Sequence, residues 1–351
     1  MTGIRTYLPA EWHEQSAVQL TWPHAGTDWQ PVLEAVTRCY VDMAKALTAR
    51  VHLIIVTPEP AHVRMLLQGS LTARGLSRIS FCKAPTNDTW ARDHGFLSLL
   101  ADDGSRHLLD FRFNGWGEKF PADLDNQICR RMAEQGIPEG LYETHLDFVL
   151  EGGSIESDGM GTILTTSHCL LAPHRNQPMT RAQIEARLLK TLHARRILWL
   201  DHGYLAGDDT DSHIDTLARF CTGDTIAYVK CTDRSDEHYH ELSLMEQQLS
   251  TFRTMDGKPY RLIPLPMARP AFDEDGNRLP ATYANFLITN GAVLTPTYGD
   301  ADTDLQAEEQ LRKAFPRHDI VGIDCRPLII QHGSLHCCTM QFPAPLGGSE
   351  K

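Results

Sequence analysis

The run GDDTDSHIDTLARF, residues 207–220, sets the reading of the whole chain. His213 and Asp215 stand two apart, so an extended backbone projects both to the same side. Toward the N-terminus, FVLEGGS (148–154) places Glu151 at the end of an apolar run, and NDTWARDHG (87–95) carries Asp88, Trp90, Arg92 and Asp93 just before another. Toward the C-terminus, HGSLHCCTMQ (332–341) sets Cys337 and Cys338 after a third. Asp93 and Glu151 are 58 positions apart, Glu151 and His213 62, and His213 and Cys337 124, twice 62. A unit of about 62 residues counted five times, its fourth mark silent near residue 275, predicts a cyclic array of five ββαβ units with loops converging on one centre.

Singly, each group has an ordinary explanation. Asp93 beside Arg92 suits a surface ion pair, and Glu151 at a strand end suits solvent. Gly152-Gly153 is turn chemistry. His213 with Asp215 suits a satisfied loop pair, and Cys337 and Cys338 suit a core. The regular spacing is what singles them out.

Apolar patterning supports alternating elements. Val32, Leu33, Val36, Tyr40, Met43, Ala44 and Leu47 share one helical face after Pro31, and VHLIIVT (51–57) follows as a buried strand. Thr180 with Gln183 forms a capping box opening a helix, and RILWL (196–200) follows as a strand. Further helices are expected over 239–253 and 304–315. Strands are expected at 18–22, 96–100, 107–113, 147–150, 162–166, 225–229, 285–290, 292–296, 319–323 and 327–330. Residues 267–283 read as a long surface loop. The ββαβ order argues against a doubly wound sheet, and no GxGxxG or Walker-type loop occurs. With no linker dividing the chain, the expectation is one domain over 1–351, with 1–15 and 344–351 peripheral.

The chain has 351 residues and a formal net charge of −12. No basic run is present, so no nucleic-acid partner is expected, and an acidic chain suits a small cationic substrate. No run of about 18 apolar residues occurs, so no membrane span is expected. The start MTGIRTYLPAEWHEQ lacks a signal-peptide pattern. Nine cysteines, an odd number without CxxC, fit reduced thiols in a cytoplasmic protein. A homo-oligomer is compatible with the sequence.

The motifs WARDHG, LEGGS, DSHID with its downstream ARF, YANFLITNGAVLTPTYGD (283–300) and LHCCTMQ resemble the agmatine deiminase and bacterial-type peptidyl-arginine deiminase family over nearly the whole chain. The resemblance implies an α/β pentein fold, a five-bladed propeller of pseudo-fivefold ββαβ units. It implies Cys337 as nucleophile, His213 as acid/base, Asp93 and Asp215 as the guanidinium clamp, and Glu151 beside the histidine. The implied reaction is deimination of a guanidine, foremost agmatine, without metal or other cofactor. Its logic is physical: two carboxylates gripping N–H edges fix the plane of a diffuse cation and turn its carbon toward a thiolate. The thiol is expected to stay neutral until the cation neutralises its acidic surroundings. For the far end of the substrate, the candidates are Trp22, Trp90, Trp116 and the acidic run Asp208, Asp209 and Asp211. Departures from the family pattern, such as Phe96 after RDHG and DSHIDT around the histidine, lie in loops and bear on substrate choice.

Two other readings of the residues stand beside this one. His213, Asp215 and Asp208–Asp211 could ligate a metal in an amidinohydrolase that releases urea. The scaffold could also be a binding module without catalysis.

Overall fold

The computed structural model describes residues 5–345, and its strands form five sheets of three or four strands each. One plan recurs in all five: an antiparallel pair, a hairpin in four of them, then a helix and a strand that returns parallel to the second strand of the pair. Leu97–Ala101 and Arg106–Arg112 form the first hairpin, followed by the helix Ile128–Glu134 and the parallel strand Leu141–Val149. Ile155–Ser157, Thr162–Thr166, the helix Arg181–Thr191 and Arg196–Leu200 repeat it. So do Ala218–Thr222, Thr225–Lys230, Tyr239–Thr251 and Arg261–Pro266, and Leu287–Thr289, Ala292–Thr297, Ala301–Ala314 and Asp319–Asp324. The last sheet joins the two ends of the chain. Thr339–Pro343 runs antiparallel to Gln15–Thr21, which pairs in parallel with His52–Thr57 after the helix Leu33–Thr48, and Ile79–Lys83 adds a fourth strand.

The helices bury the faces their sequences mark. Val36, Tyr40, Met43 and Leu47 are fully enclosed on the helix Leu33–Thr48, each contributing roughly 1.5–3 kcal/mol by leaving water. The Thr180 box forms, its hydroxyl accepting from the Gln183 amide at 3.4 Å. No helix among the described residues is long and apolar enough to cross a membrane.

Several expectations are corrected. The stretch Arg326–Ile329 is a short helix rather than a strand, with Pro327 in its first turn where a missing N–H costs nothing. The strand ending near Val149 begins at Leu141: its first seven residues are exposed or half-buried, and Glu143, Thr144, His145 and Asp147 interrupt the apolar pattern. Residues 1–4 and 346–351 lie outside the described residues, but 5–15 are not peripheral. Thr6–Tyr7 pairs with Leu100 and Ala101, and Glu11 is buried at 7% exposure. The fourth mark is not silent at 275. The irregular segment 267–283 displaces it to Asn285, which precedes Leu287–Thr289 as Asp93, Glu151, Asp215 and Cys337 precede the first strands of the other sheets.

Candidate active site

Each of the five segments that lead into a hairpin brings a polar side chain to a common centre. Asp93 sits on the short helix Ala91–His94. Its Oδ1 accepts the Gly153 amide at 2.9 Å and its Oδ2 the Trp116 indole N–H at 2.9 Å. Burial raises the Asp93 carboxyl, with His213 opposing. Arg92 makes no surface pair with it; the guanidinium turns beneath the site toward the His336 carbonyl, 3.5 Å away.

Glu151 is wholly buried, and Arg175 grips both its oxygens at 3.0 and 3.2 Å. Burial alone would raise this carboxyl, but Arg175 and His213 hold it down at about 2. The following Gly152-Gly153 pair serves close approach. A Cβ on Gly152 would lie 2.2 Å from the Arg92 carbonyl oxygen, and one on Gly153 2.6 Å from His213 Nδ1, 2.8 Å from Asp93 Oδ1 and 3.0 Å from Asp215 Oδ2.

His213 is aimed by strained backbone: Asp211 and Ser212 before it have φ of 63° and 66°, at roughly 1–3 kcal/mol each for non-glycine residues. Asp208 supports that turn, accepting the Thr210 and Ser212 amides at 3.1 and 2.6 Å. The His213 ring lies 3.7 Å from Asp93 and 3.9 Å from Glu151. Burial works to lower its pKa; Asp93, the Cys169 sulfur and Glu151 outweigh it and push it well above the ordinary value. Asp215 accepts from His336 Nδ1 at 2.8 Å. Burial would raise its carboxyl, but that bond and the nearby cations keep it low.

Cys337 is 5% exposed, its Sγ 3.4 Å from Asn285 Oδ1 and 3.9 Å from Asp215 Oδ2. Asn285 Oδ1 also accepts the His336 amide at 2.8 Å, which holds the nucleophile's loop in place. Burial first, then Asp215 and Asp93, push the Cys337 thiol well above its usual value. That favours the neutral thiol.

A cavity of about 150 Å³ opens above Cys337, walled by Trp90, Trp116 and Phe120 and edged by Asp28, Asp88 and Asp209. Trp90 and Trp116 therefore stand where sequence reading put them. Trp22 does not: it is 2% exposed and packs edge-on against Tyr40 at 5.5 Å. Asp211 is also displaced from the expected role, because Arg175 and Lys119 neutralise it; Asp209 lines the mouth instead. Sequence reading missed Glu11, Glu156, Arg175, Arg219, Asn285 and His336. Arg219 is fully buried, bound to Glu11 at 2.9 Å and to Glu156. Removing one partner of such a pair leaves an uncompensated charge, at about 3–5 kcal/mol.

The ligand set suggested for a metal does not assemble. Asp208 supports backbone and Asp211 is ion-paired. Among the described residues, Glu151, Cys169 and His213, and Glu11, Glu156 and His336, approach closely enough to share an ion. In each trio, however, a carboxylate already binds Arg175 or Arg219.

The Trp116 indole gives a direct test. Trp116→Phe keeps the wall but removes a hydrogen bond to a buried carboxylate, commonly about 1.5–3 kcal/mol. Turnover should fall roughly tenfold to a hundredfold, read as kcat at saturating substrate. An unchanged kcat would show that Asp93 is held adequately without it.

A buried thiol, an imidazole and facing carboxylates under an acidic, aromatic mouth equip a protein to bind and attack a small planar cation. The chain belongs to the Porphyromonas-type peptidyl-arginine deiminase family, whose profile matches residues 7–343. It is 33% identical to an agmatine deiminase of Stutzerimonas stutzeri, over 97% of this chain and 96% of that protein. A crystal structure from Porphyromonas gingivalis, assigned only provisionally as an arginine deiminase, is 50% identical with a TM-score of 0.90, over 97% of this chain and 98% of that one. Substrate-bound agmatine deiminase of C. jejuni, a cysteine-to-serine variant, is 37% identical with a TM-score of 0.90, over 99% and 98% of the two chains.

Proposed function

We propose that this hydrolase of guanidino C–N bonds converts agmatine and water to N-carbamoylputrescine and ammonia through a covalent amidino-cysteine. One observation carries the reading: Cys337 faces a small acidic cavity lined by Asp93, with Asp215 3.9 Å from its sulfur and the His213–Glu151 pair beside them. The named activity of the Stutzerimonas and C. jejuni relatives supports it. The five sheets are read as the blades of one closed propeller, a single catalytic domain acting in the cytoplasm.

Asp93 and Asp215 would clamp the guanidinium through its N–H edges, and its charge would offset their repulsion of a thiolate. The thiol proton passes to solvent, and Sγ attacks the central carbon to give a tetrahedral adduct. His213 protonates the departing nitrogen, the C–N bond breaks, and ammonia leaves an amidino-thioether on Cys337. Neutral His213 then takes a proton from water as its oxygen attacks the same carbon. The C–S bond breaks, returning the thiol and releasing the ureido product. Asp28, Asp88 and Asp209 at the mouth suit the second cation of agmatine, which a peptide-linked arginine lacks.

Agmatine, free arginine and a blocked arginyl peptide should be compared with chelator-treated protein. Ammonia and N-carbamoylputrescine are expected, with agmatine preferred by at least about a hundredfold in kcat/KM, near 2.7 kcal/mol. Preference for the peptide would move the assignment to peptidyl-arginine deimination. Release of urea would refute the thiol route.

A further inference from the structure

We propose that Arg175 is a positioning residue for the deimination, its guanidinium setting Glu151 against the His213 ring while tying the backbone of the same histidine to the cavity mouth. The proposal rests on the deiminase reading of the site. Arg175 is fully enclosed and uses every edge of its fork. Nε meets both Glu151 oxygens at 3.0 and 3.2 Å, one terminal nitrogen meets Asp211, and the other donates to the Thr210 carbonyl at 2.8 Å. Thr210 in turn accepts the His213 amide on its hydroxyl at 3.0 Å. One cation therefore sets Glu151 3.9 Å from the His213 ring and reaches the backbone of the same histidine through Thr210. The same guanidinium would lie 3.6 Å from a Cβ on Gly117, so it also abuts the loop that carries Trp116.

The electrostatic consequence follows from burial. The ionisable groups facing His213 are Asp93, Cys169, Glu151 and, more distantly, Asp215. Glu151 is faced by Arg175 and His213, and Arg175 by Cys169, Glu151 and Asp211, the last shared with Lys119. Take Arg175 away and burial dominates at Glu151, which then binds a proton. His213 loses one of the charges that keep it cationic, and with it the proton it must give to the departing nitrogen. A lysine brings the charge but not the fork.

The test reads His213 without needing turnover. In protein carrying 15N-labelled histidine, the His213 ring signal is assigned by its loss in His213→Asn, and its titration is followed. Arg175→Gln should lower the midpoint by about one pH unit or more. Glu151→Gln should do the same, and the double variant should add nothing. Asp211→Asn, which removes only the mouth-side partner, should leave the midpoint in place. An unmoved midpoint in Arg175→Gln, or an equal shift in Asp211→Asn, would overturn the proposal. Should Arg175→Gln not fold, Arg175→Lys decides: the basic limb of its kcat profile should move acidward by about half a unit, and a wild-type limb with wild-type KM would overturn it. A shifted midpoint in a protein that turns over no guanidine would refute the deiminase reading while leaving the Arg175–Glu151–His213 linkage standing.

Discussion

Cys337→Ser should lose ammonia release from agmatine by at least about a thousandfold, while Cys338→Ser should keep most of it. The adjacent thiols differ in what they face. Cys337 lines the cavity and touches Asp215 and Asn285. Cys338 is completely buried beside Tyr40 and Cys39, where burial drives its thiol up with no route to substrate. Serine at 337 preserves shape but puts a far poorer nucleophile among carboxylates that oppose its ionisation. Acid-quenched wild-type enzyme should carry the amidino adduct on the peptide containing Cys337, detectable by mass, and Cys337→Ser should not. Comparable losses in both variants would mean that the wrong sulfur has been assigned.

Gly153→Ala should be nearly as damaging, although it adds one methyl group. The position has no positive φ, so alanine strains no backbone and the effect is steric. The new Cβ would fall 2.6 Å from His213 Nδ1 and 2.8 Å from Asp93 Oδ1. A retreat of either disturbs the site: the His213 ring is fully buried on a backbone whose amide is fixed by Thr210, and Asp93 is held by Trp116. A shift of about 1 Å in a reacting group costs on the order of a hundredfold, so kcat/KM should drop by at least that much while the protein remains folded. Activity within threefold of wild type would show that the three side chains do not converge as described.

Much of this was legible because local chemistry and global position agree. TILTT and RILWL are β-rich runs between polar turns, and both are strands over the expected residues, 162–166 and 196–200. The near-regular spacing of Asp93, Glu151 and His213 reflects a repeated ββαβ plan, with each of these residues leading into a hairpin. Legibility fails where a residue's role depends on distant partners. Ala218–Thr222 was not read as a strand because Arg219 breaks the apolar pattern, yet its charge is neutralised by Glu11, over two hundred positions away. Arg175 sits in the polar run PHRNQP, which looks like a solvated loop until Glu151 is placed against it. Asn285 was missed because an insertion moved it off the period. Trp22 and Trp116 cannot be told apart by composition; only packing makes one core and the other wall.

The pairing of Thr339–Pro343 with Gln15–Thr21 also imposes an order of events in time. A ribosome delivers the N-terminal side of this sheet first and its partner after all the intervening segments, so early-made units can fold while that sheet still waits. Cys337 lies two residues before the late strand, and Glu11, among the earliest residues made, meets His336 at 2.7 Å across 325 positions. A chain that stalls or is truncated before this last segment carries Asp93, Asp215 and His213 but lacks Cys337, the His336 that meets Asp215 and the strand that joins the two ends. The assembled site thus becomes a report that translation has run through Pro343.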